Sequence, residues 1–121
     1  MYRKLYKKER QWIEKVLDIE FKGKDILLNQ IRQENVEYEQ GYDYTSIKFK
    51  IDENVEKYPY QVRVPVEMRA FQENVVPLVF LLHIKCGIID ELELITADSS
   101  EINLDNINMQ DVEYEVHESV L

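Results

Sequence analysis

The chain has 121 residues, 45% of them hydrophobic and 32% charged, which suits one globular domain and argues against wholesale disorder. Its 24 acidic side chains outnumber the 15 basic ones, and the formal net charge is −9. Because affinity for nucleic acids and for anionic lipids rests on Lys and Arg, this balance argues against both classes of partner. We therefore expect no nucleic-acid partner and no membrane partner.

Targeting and membrane signals are the next features to consider. The N-terminal stretch MYRKLYKKERQWIEKVLDIEF is charged throughout and lacks the apolar segment of a secretory signal. The longest apolar run, Val75–Ile84, contains Pro77 and is too short to span a bilayer. Cys86 is the only cysteine, so no intrachain disulfide can form, which fits a reducing compartment. These features predict a cytoplasmic protein with a single domain over residues 1–121.

Two stretches near the N-terminus have apolar residues at helical spacing. These residues are Trp12, Ile13, Val16 and Leu17 in the first stretch, and Leu27, Leu28 and Ile31 in the second. The spacing predicts an amphipathic helix over about residues 6–17 and a second helix over residues 22–33, starting near Gly23. The join between them is short, so we expect the helices to be neighbours.

From residue 36 onward the apolar period changes to two. The alternating segments are 36–39, 47–51, 60–70, 88–95 and 112–116, whereas residues 103–110 are ambiguous. Val75–Ile84 is apolar at both odd and even positions, which predicts a central strand covered on both faces. The pattern predicts an α+β fold, with two N-terminal helices on one face of a mainly antiparallel sheet of about five to six strands. Residues 1–33 would form the helical part and residues 34–121 the sheet part.

Pro65 lies inside the alternating segment 60–70. Because proline has no N–H to donate, we expect this strand to lie at an edge of the sheet or to contain a bulge near its middle. An edge strand presents free backbone groups to a second copy of the chain. A homodimer formed through the edge strand Tyr60–Ala70 is therefore one expectation.

The charges are unevenly distributed along the chain. Residues 1–33 carry nine basic and five acidic side chains, and residues 34–121 carry six basic and nineteen acidic ones. The last 32 residues contain ten acids and no Lys or Arg. The acids either form a solvated surface that maintains solubility or build a face that binds a basic protein. The candidate partner-binding acids are Asp90, Glu91, Glu93, Glu113 and Glu115.

Five of the eight tyrosines fall between residues 38 and 60. Tyrosine is enriched in strands, so packing over the sheet is one explanation. Exposed tyrosines also serve as anchors in protein interfaces. Tyr42 and Tyr44, which flank a predicted hairpin turn, are the candidate contact residues.

The sequence gives little support for a catalytic or metal-binding site. His83 and Cys86 would face opposite sides of a strand, so a Cys–His nucleophile is not expected. The two histidines, His83 and His117, are far apart and lack metal-ligand spacing, and the isolated glycines form no phosphate-binding loop. Glu91 and Glu93 share a strand face, but with 24 acids such pairs arise by chance. We expect no catalytic residues, no cofactor and no metal.

Four short motifs lie within or beside the predicted elements. They are Phe21-Lys22-Gly23, Val64-Pro65-Val66-Glu67, the stretch Leu82-His83-Ile84-Lys85-Cys86-Gly87, and Glu91-Leu92-Glu93. Together with the basic helical start RKLYKKE, they resemble a family of small bacterial proteins of unknown function. The chain departs from that pattern at Tyr6, where a capping Thr would suit, and at Ser99, where Gly would suit a turn. The resemblance implies the fold and a bacterial origin, and it implies no catalytic residue.

Two functions follow as expectations. The first is a non-enzymatic protein-interaction module, of immunity type by analogy of size and charge, whose acidic sheet face binds a basic protein. The second is a small-molecule-binding domain or minor enzyme. Its pocket would lie between the helices and the sheet, near His83, Trp12 and Tyr114.

Overall fold

The computed structural model describes residues 4–32, 37–40, 45–71, 77–96 and 107–121, and for residues 37–40 and 45 it describes the backbone. The helices are α1 (Lys7–Val16), α2 (Lys24–Ile31) and a 3₁₀ helix at Glu118–Val120. The strands are β1 (Glu37–Gln40), β2 (Thr45–Lys50), β3 (Val66–Phe71), β4 (Leu78–Lys85), β5 (Ile88–Thr96) and β6 (Asn108–Val116). The predicted α+β class, with its two N-terminal helices, is confirmed.

Helix α1 begins directly after Tyr6, which occupies the N-cap position. The Glu9 carboxylate accepts a hydrogen bond from the Tyr6 backbone N–H at 2.8 Å, so the acid supplies one half of a capping box without a threonine. Trp12, Ile13 and Val16 form the buried side of this helix. The helix predicted over residues 6–17 is therefore confirmed to within a residue at each end.

Helix α2 begins after Gly23, whose φ of +81° is a left-handed conformation that favours glycine. A Cβ atom at this position would lie 2.5 Å from Tyr58 Cε1, so the ring also excludes any side chain. Both constraints explain the glycine of the Phe21-Lys22-Gly23 motif. The predicted helix start near Gly23 is confirmed.

The six strands form one sheet in the order β1-β2-β5-β4-β3-β6, and every neighbouring pair is antiparallel. Both helices pack on one face, which we call the inner face, with α1 over β3 and α2 over β5. Leu78, Phe80 and Leu82 of β4 are fully buried there. The Phe80 ring meets Trp12 of α1 edge to face, with 6.3 Å between the ring centroids. This layer of apolar contacts is the core.

The strand predicted over residues 60–70 differs from the observed one in extent and in position. Strand β3 starts after Pro65 and lies between β4 and β6, so it is not an edge strand. Pro65 has no ladder bond to donate at this position, and its carbonyl accepts the His117 N–H at 2.9 Å. Among the described strands the edges of the sheet are β1 and β6, so the edge position on which the predicted homodimer through Tyr60–Ala70 rested is wrong, while the homodimer itself stays a prediction. The pairing of β3 with β6 has a register shift between Arg69 and Phe71, so the irregularity does not lie at Pro65.

The segment 51–65 connects β2 to β3, and it runs past the turn between β4 and β5. The Tyr58 N–H donates to the Gly87 carbonyl at 2.8 Å, and the Ile84 N–H donates to the Arg63 carbonyl at 2.7 Å. These bonds hold the connection against the turn. The segment between residues 60 and 65 therefore has backbone partners although it lies outside the strands.

The predicted turn at Cys86-Gly87 is confirmed. Cys86 has a φ of 53° and Gly87 a φ of 77°, the paired positive values of a two-residue type I′ hairpin turn. A Cβ atom at Gly87 would lie 2.9 Å from Lys57 Cβ and 3.0 Å from the Tyr58 carbonyl oxygen. This turn is therefore packed tightly against the connection.

Candidate functional site

The face of the sheet opposite the helices, which we call the outer face, carries the polar residues of the strands. In β4 the inner residues Leu78, Phe80 and Leu82 are fully buried, whereas the outward residues Val79, Leu81 and His83 remain partly exposed. The prediction that this strand is covered on both faces is therefore wrong for its outward side chains. Helices α1 and α2 both lie on the inner face, so neither of them covers the outer face.

Four of the five predicted acids lie on the outer face, in two groups. Glu91 and Glu93 belong to β5, and Glu113 and Glu115 belong to the edge strand β6. Strands β4 and β3 separate the groups, and three inter-strand steps amount to about 14 Å. The fifth acid, Asp90, is the extra residue of a bulge, between Ile89 and Glu91, which have partners in β4.

The acids of the β5 group have polar neighbours. Glu93 Oε1 lies 3.0 Å from His83 Nε2, and the Ser46 hydroxyl donates to the Glu91 carboxylate. Lys48 of β2 is the register partner of Glu91. His83 Nδ1 is buried and has no hydrogen-bond partner among the described residues. Both carboxylates of the β5 group therefore already have a polar partner within the chain.

In the β6 group, Arg69 of β3 is held between two carboxylates. Its Nη2 lies 2.8 Å from Glu67 and 2.7 Å from Glu115. The hydrogen bond that the Arg69 guanidinium donates to the Glu115 carboxylate raises the pKa of Arg69, which is therefore always a cation. Glu113 is the register partner of Arg69 and is exposed to solvent. One cation against three acids leaves this group negative.

A cavity of about 540 Å³ opens beside the β6 group. Three carboxylates contribute to its wall, those of Glu67, Glu115 and Glu118. Val64, Leu81, Val116 and His117 complete the lining. Glu67 and Glu118 were not predicted as site residues. The alternation in β3 put Glu67 on a polar face, but the pairing of β3 with β6 could not be read from the sequence.

The predicted tyrosine contacts cannot be placed. Tyr42 and Tyr44 lie outside the described residues. Of the tyrosines that are described in the same part of the sequence, Tyr58 is 4% exposed and Tyr60 is 38% exposed. Tyr58 therefore belongs to the core, and Tyr60 remains available at the surface.

The expected pocket between helices and sheet does not gather the three residues assigned to it. Trp12 and Tyr114 lie on the inner face, where Trp12 packs on Phe80 and the Tyr114 hydroxyl donates to the Lys15 carbonyl at 2.6 Å. His83 is on the outer face with Glu93. The sheet itself separates them, so they cannot contact one ligand.

Candidate metal ligands are also dispersed within the described ranges. His83 bonds to Glu93, and His117 Nδ1 lies 2.7 Å from the Ser119 hydroxyl at the end of β6. No group of three or more His, Cys, Asp or Glu residues that could hold a metal ion occurs among the described residues. No helix among the described residues is long and apolar enough to cross a membrane.

Comparison with known proteins adds no assignment. No family model matches the chain, and no curated protein and no solved structure matches it. The resemblance to small bacterial proteins of unknown function therefore stays a prediction, and function has to be argued from the site.

Proposed function

We propose that this protein is a non-enzymatic protein-interaction module, and that the β6 end of its outer face binds a basic segment of a partner protein. The observation that carries the proposal is the cavity that three acids, Glu67, Glu115 and Glu118, line together with apolar residues that include Val64 and Leu81. An immunity-type role in a bacterium, with a basic toxin as the partner, is the specific form that size and charge suggest.

The chemistry of this cavity matches a lysine or arginine side chain. Such a side chain has an apolar stem and a cationic end, so it can bury the stem on Leu81 while the end meets carboxylates. Arg69 already occupies the space between Glu67 and Glu115 and makes this kind of contact within the chain. Glu113 and Glu118 are exposed, and neither forms an ion pair with another described residue, so both can attract a cationic partner.

The β5 group has a smaller role in the proposal. Glu91 and Glu93 already contact Ser46 and His83, so binding there would have to displace these hydrogen bonds. We therefore assign the specific contacts to the β6 group and a long-range steering effect to the β5 group and Asp90. Tyr42 and Tyr44 remain candidate contacts whose position is open.

The test uses a labelled peptide of alternating lysine and leucine as the basic probe. The double variant Glu113→Gln/Glu118→Gln is compared with Glu14→Gln/Glu53→Gln, which removes the same charge from exposed acids elsewhere. Binding at about 0.05 M salt should weaken about fivefold or more in the first variant and less than about twofold in the second. NMR shift changes in the parent protein should concentrate at β3, β6 and residues 117–118.

Two results would count against the proposal. Equal weakening in both double variants would mean that net charge alone drives binding. Shift changes confined to the helices would place the binding surface on the other side of the molecule.

A further inference from the structure

A second cavity, of about 490 Å³, lies between the β4–β5 turn and the connection that leads to β3. One wall is the turn segment Ile84–Gly87, and the other is the segment Lys57–Arg63. The volume is within the range of small-molecule sites. This cavity is separate from the acidic one, because the two share no lining residue.

The cavity concentrates positive charge in the acidic part of the chain. Lys57, Arg63 and Lys85 line it, and none of the Asp or Glu residues that the structure describes does. Residues 34–121 contain six basic side chains against nineteen acidic ones, so half of those basic side chains converge here. Such a concentration points to an anionic ligand.

Two of the three cations are available for a ligand. Arg63 and Lys85 are exposed, and neither side chain has a hydrogen bond or ion pair to another described residue. Lys57 is different, because its ammonium group donates to the carbonyls of Glu53 and Val55. It therefore adds a fixed positive charge, while Arg63 and Lys85 can contact the ligand directly.

The two walls are held together by the main chain. The Tyr58 N–H bonds to the Gly87 carbonyl, and the Ile84 N–H bonds to the Arg63 carbonyl. The Gln30 amide also donates to the Gly87 carbonyl at 2.9 Å. The site is consequently preformed, which reduces the entropic cost of binding.

The remaining lining suits a flat organic group. Tyr60 is partly exposed, and its ring is held edge to face against Tyr58 with centroids 5.3 Å apart. Pro59 and Val62 add apolar surface nearby. An aromatic ring on the ligand could pack on Tyr60 while its anionic group meets the cations.

We propose that this cavity binds a small organic anion, a flat ring that carries a phosphate or a carboxylate group. Arg63 and Lys85 bind the anionic group, Lys57 adds to the local field, and Tyr60 packs on the ring. The proposal is independent of the basic partner, because the charge selectivity of the two cavities is opposite.

The Cys86 thiol is exposed and lines the cavity, so it can report on ligands there. We would measure its reaction with an anionic aromatic disulfide, 5,5′-dithiobis(2-nitrobenzoate), and with a neutral one, 4,4′-dithiodipyridine. In each case the thiolate forms a mixed disulfide and releases the aromatic thiolate. We divide the rate with the anionic reagent by the rate with the neutral one. Changes in thiol reactivity cancel in this ratio, which leaves the effect of reagent charge.

The variant Arg63→Gln/Lys85→Gln should lower this ratio about fivefold or more. The control Lys7→Gln/Lys48→Gln, which removes the same charge from exposed lysines outside the cavity, should change it less than about twofold. An equal decrease in both variants would overturn the proposal, since it would report net charge only. Unfolding midpoints of all variants check that the fold is retained.

Protection of Cys86 from the neutral reagent then identifies the anion. Adenosine monophosphate tests a phosphate on a flat ring, benzoate tests a carboxylate, and inorganic phosphate and adenosine test each part alone. At least one of the two ring anions, adenosine monophosphate or benzoate, should slow the reaction in the parent protein. The same anion should have no effect in Arg63→Gln/Lys85→Gln, and adenosine should have no effect in either protein. Failure of both ring anions at millimolar concentration, or equal protection by adenosine, would refute the site.

Discussion

At the scale of single residues, Tyr58 joins three parts of the chain. Its hydroxyl donates to the Lys22 carbonyl at 2.7 Å, and its N–H donates to the Gly87 carbonyl. The ring covers Gly23, where no side chain would fit. Burial, with a smaller contribution from the nearby Tyr60, raises the pKa of Tyr58 to about 12. Tyr58 is thus a structural residue.

This pKa predicts a loss of stability in alkali. Below about pH 10 the phenol is protonated in both the folded and unfolded states, so it adds no pH dependence. Between pH 10 and about 12 the unfolded state loses the proton while the folded state keeps it, and the free energy of unfolding falls. Burial also raises the pKa of Tyr114, which acts in the same direction.

Urea unfolding at a series of pH values between 8 and 12 would measure this effect. The variant Tyr58→Phe should be less stable at pH 8, by about 1 kcal/mol for the lost hydrogen bond, and should lose less stability in alkali. Tyr60→Phe removes only the smaller of the two causes that raise the pKa of Tyr58, so the unfolding free energy should still fall with pH almost as steeply as in the parent protein. An unchanged slope in Tyr58→Phe would contradict the assignment.

At the scale of elements, Gln30 fastens helix α2 to the β4–β5 hairpin. It is 1% exposed, and its Nε2 donates to the carbonyls of Glu56 and Gly87 at 2.9 Å each. Its Oε1 accepts the buried N–H of Ile89, also at 2.9 Å. A buried amide is tolerated because its hydrogen-bonding capacity is used.

Replacing Gln30 with leucine should therefore be costly although leucine is apolar and favours helices. The Ile89 N–H would lose its partner, and with the other lost bonds we expect a decrease in unfolding free energy of about 2–4 kcal/mol. The matched change Gln11→Leu at an exposed position of α1 should stay within about 0.5 kcal/mol. Chemical denaturation of both variants tests this, and similar midpoints would refute the role of Gln30.

Sequence patterns predicted these elements well and their pairing poorly. Helical spacing places both helices, and alternation places β2 and β5, because each depends on neighbours in the chain. The extent of β3 was overestimated because Tyr60, Val62 and Val64 alternate with polar residues while packing as an irregular connection. Strand β6 was underestimated because Asn108, Gln110 and Asp111 are polar, as expected of residues on an edge strand.

At the scale of the whole molecule, the net charge should oppose folding and, under the proposed function, assist the binding of a basic partner. The net charge of −9 gives a repulsive self-energy, with acids on both β5 and β6. The contacts that join helices to sheet include apolar packing and the hydrogen bond from Tyr114 to Lys15, which salt affects little. Repulsion should therefore dominate the response of stability to salt.

Raising the ionic strength from about 0.02 M to about 0.3 M shortens the screening length from about 20 Å to about 6 Å. We expect the melting temperature to rise by about 2–4 °C over this range, while binding of the basic peptide weakens. Thermal unfolding followed by circular dichroism would measure the first effect. A falling melting temperature would instead indicate that attraction between the positive helical part and the negative sheet part dominates.

The sequence by itself determined the class of the fold, the two helices, the turn at Cys86-Gly87 and the excess of acid in the last third. These properties follow from local spacing, backbone preference and composition, which need no knowledge of distant contacts. Only the tertiary structure decided that β3 is an interior strand, that His83 and Trp12 lie on opposite sides of the sheet, and that Glu67 joins Glu115 and Glu118. It also decided that Arg63 and Lys85 line one cavity. These depend on strand order, which pairs residues far apart in sequence and is fixed by the packing of the whole core.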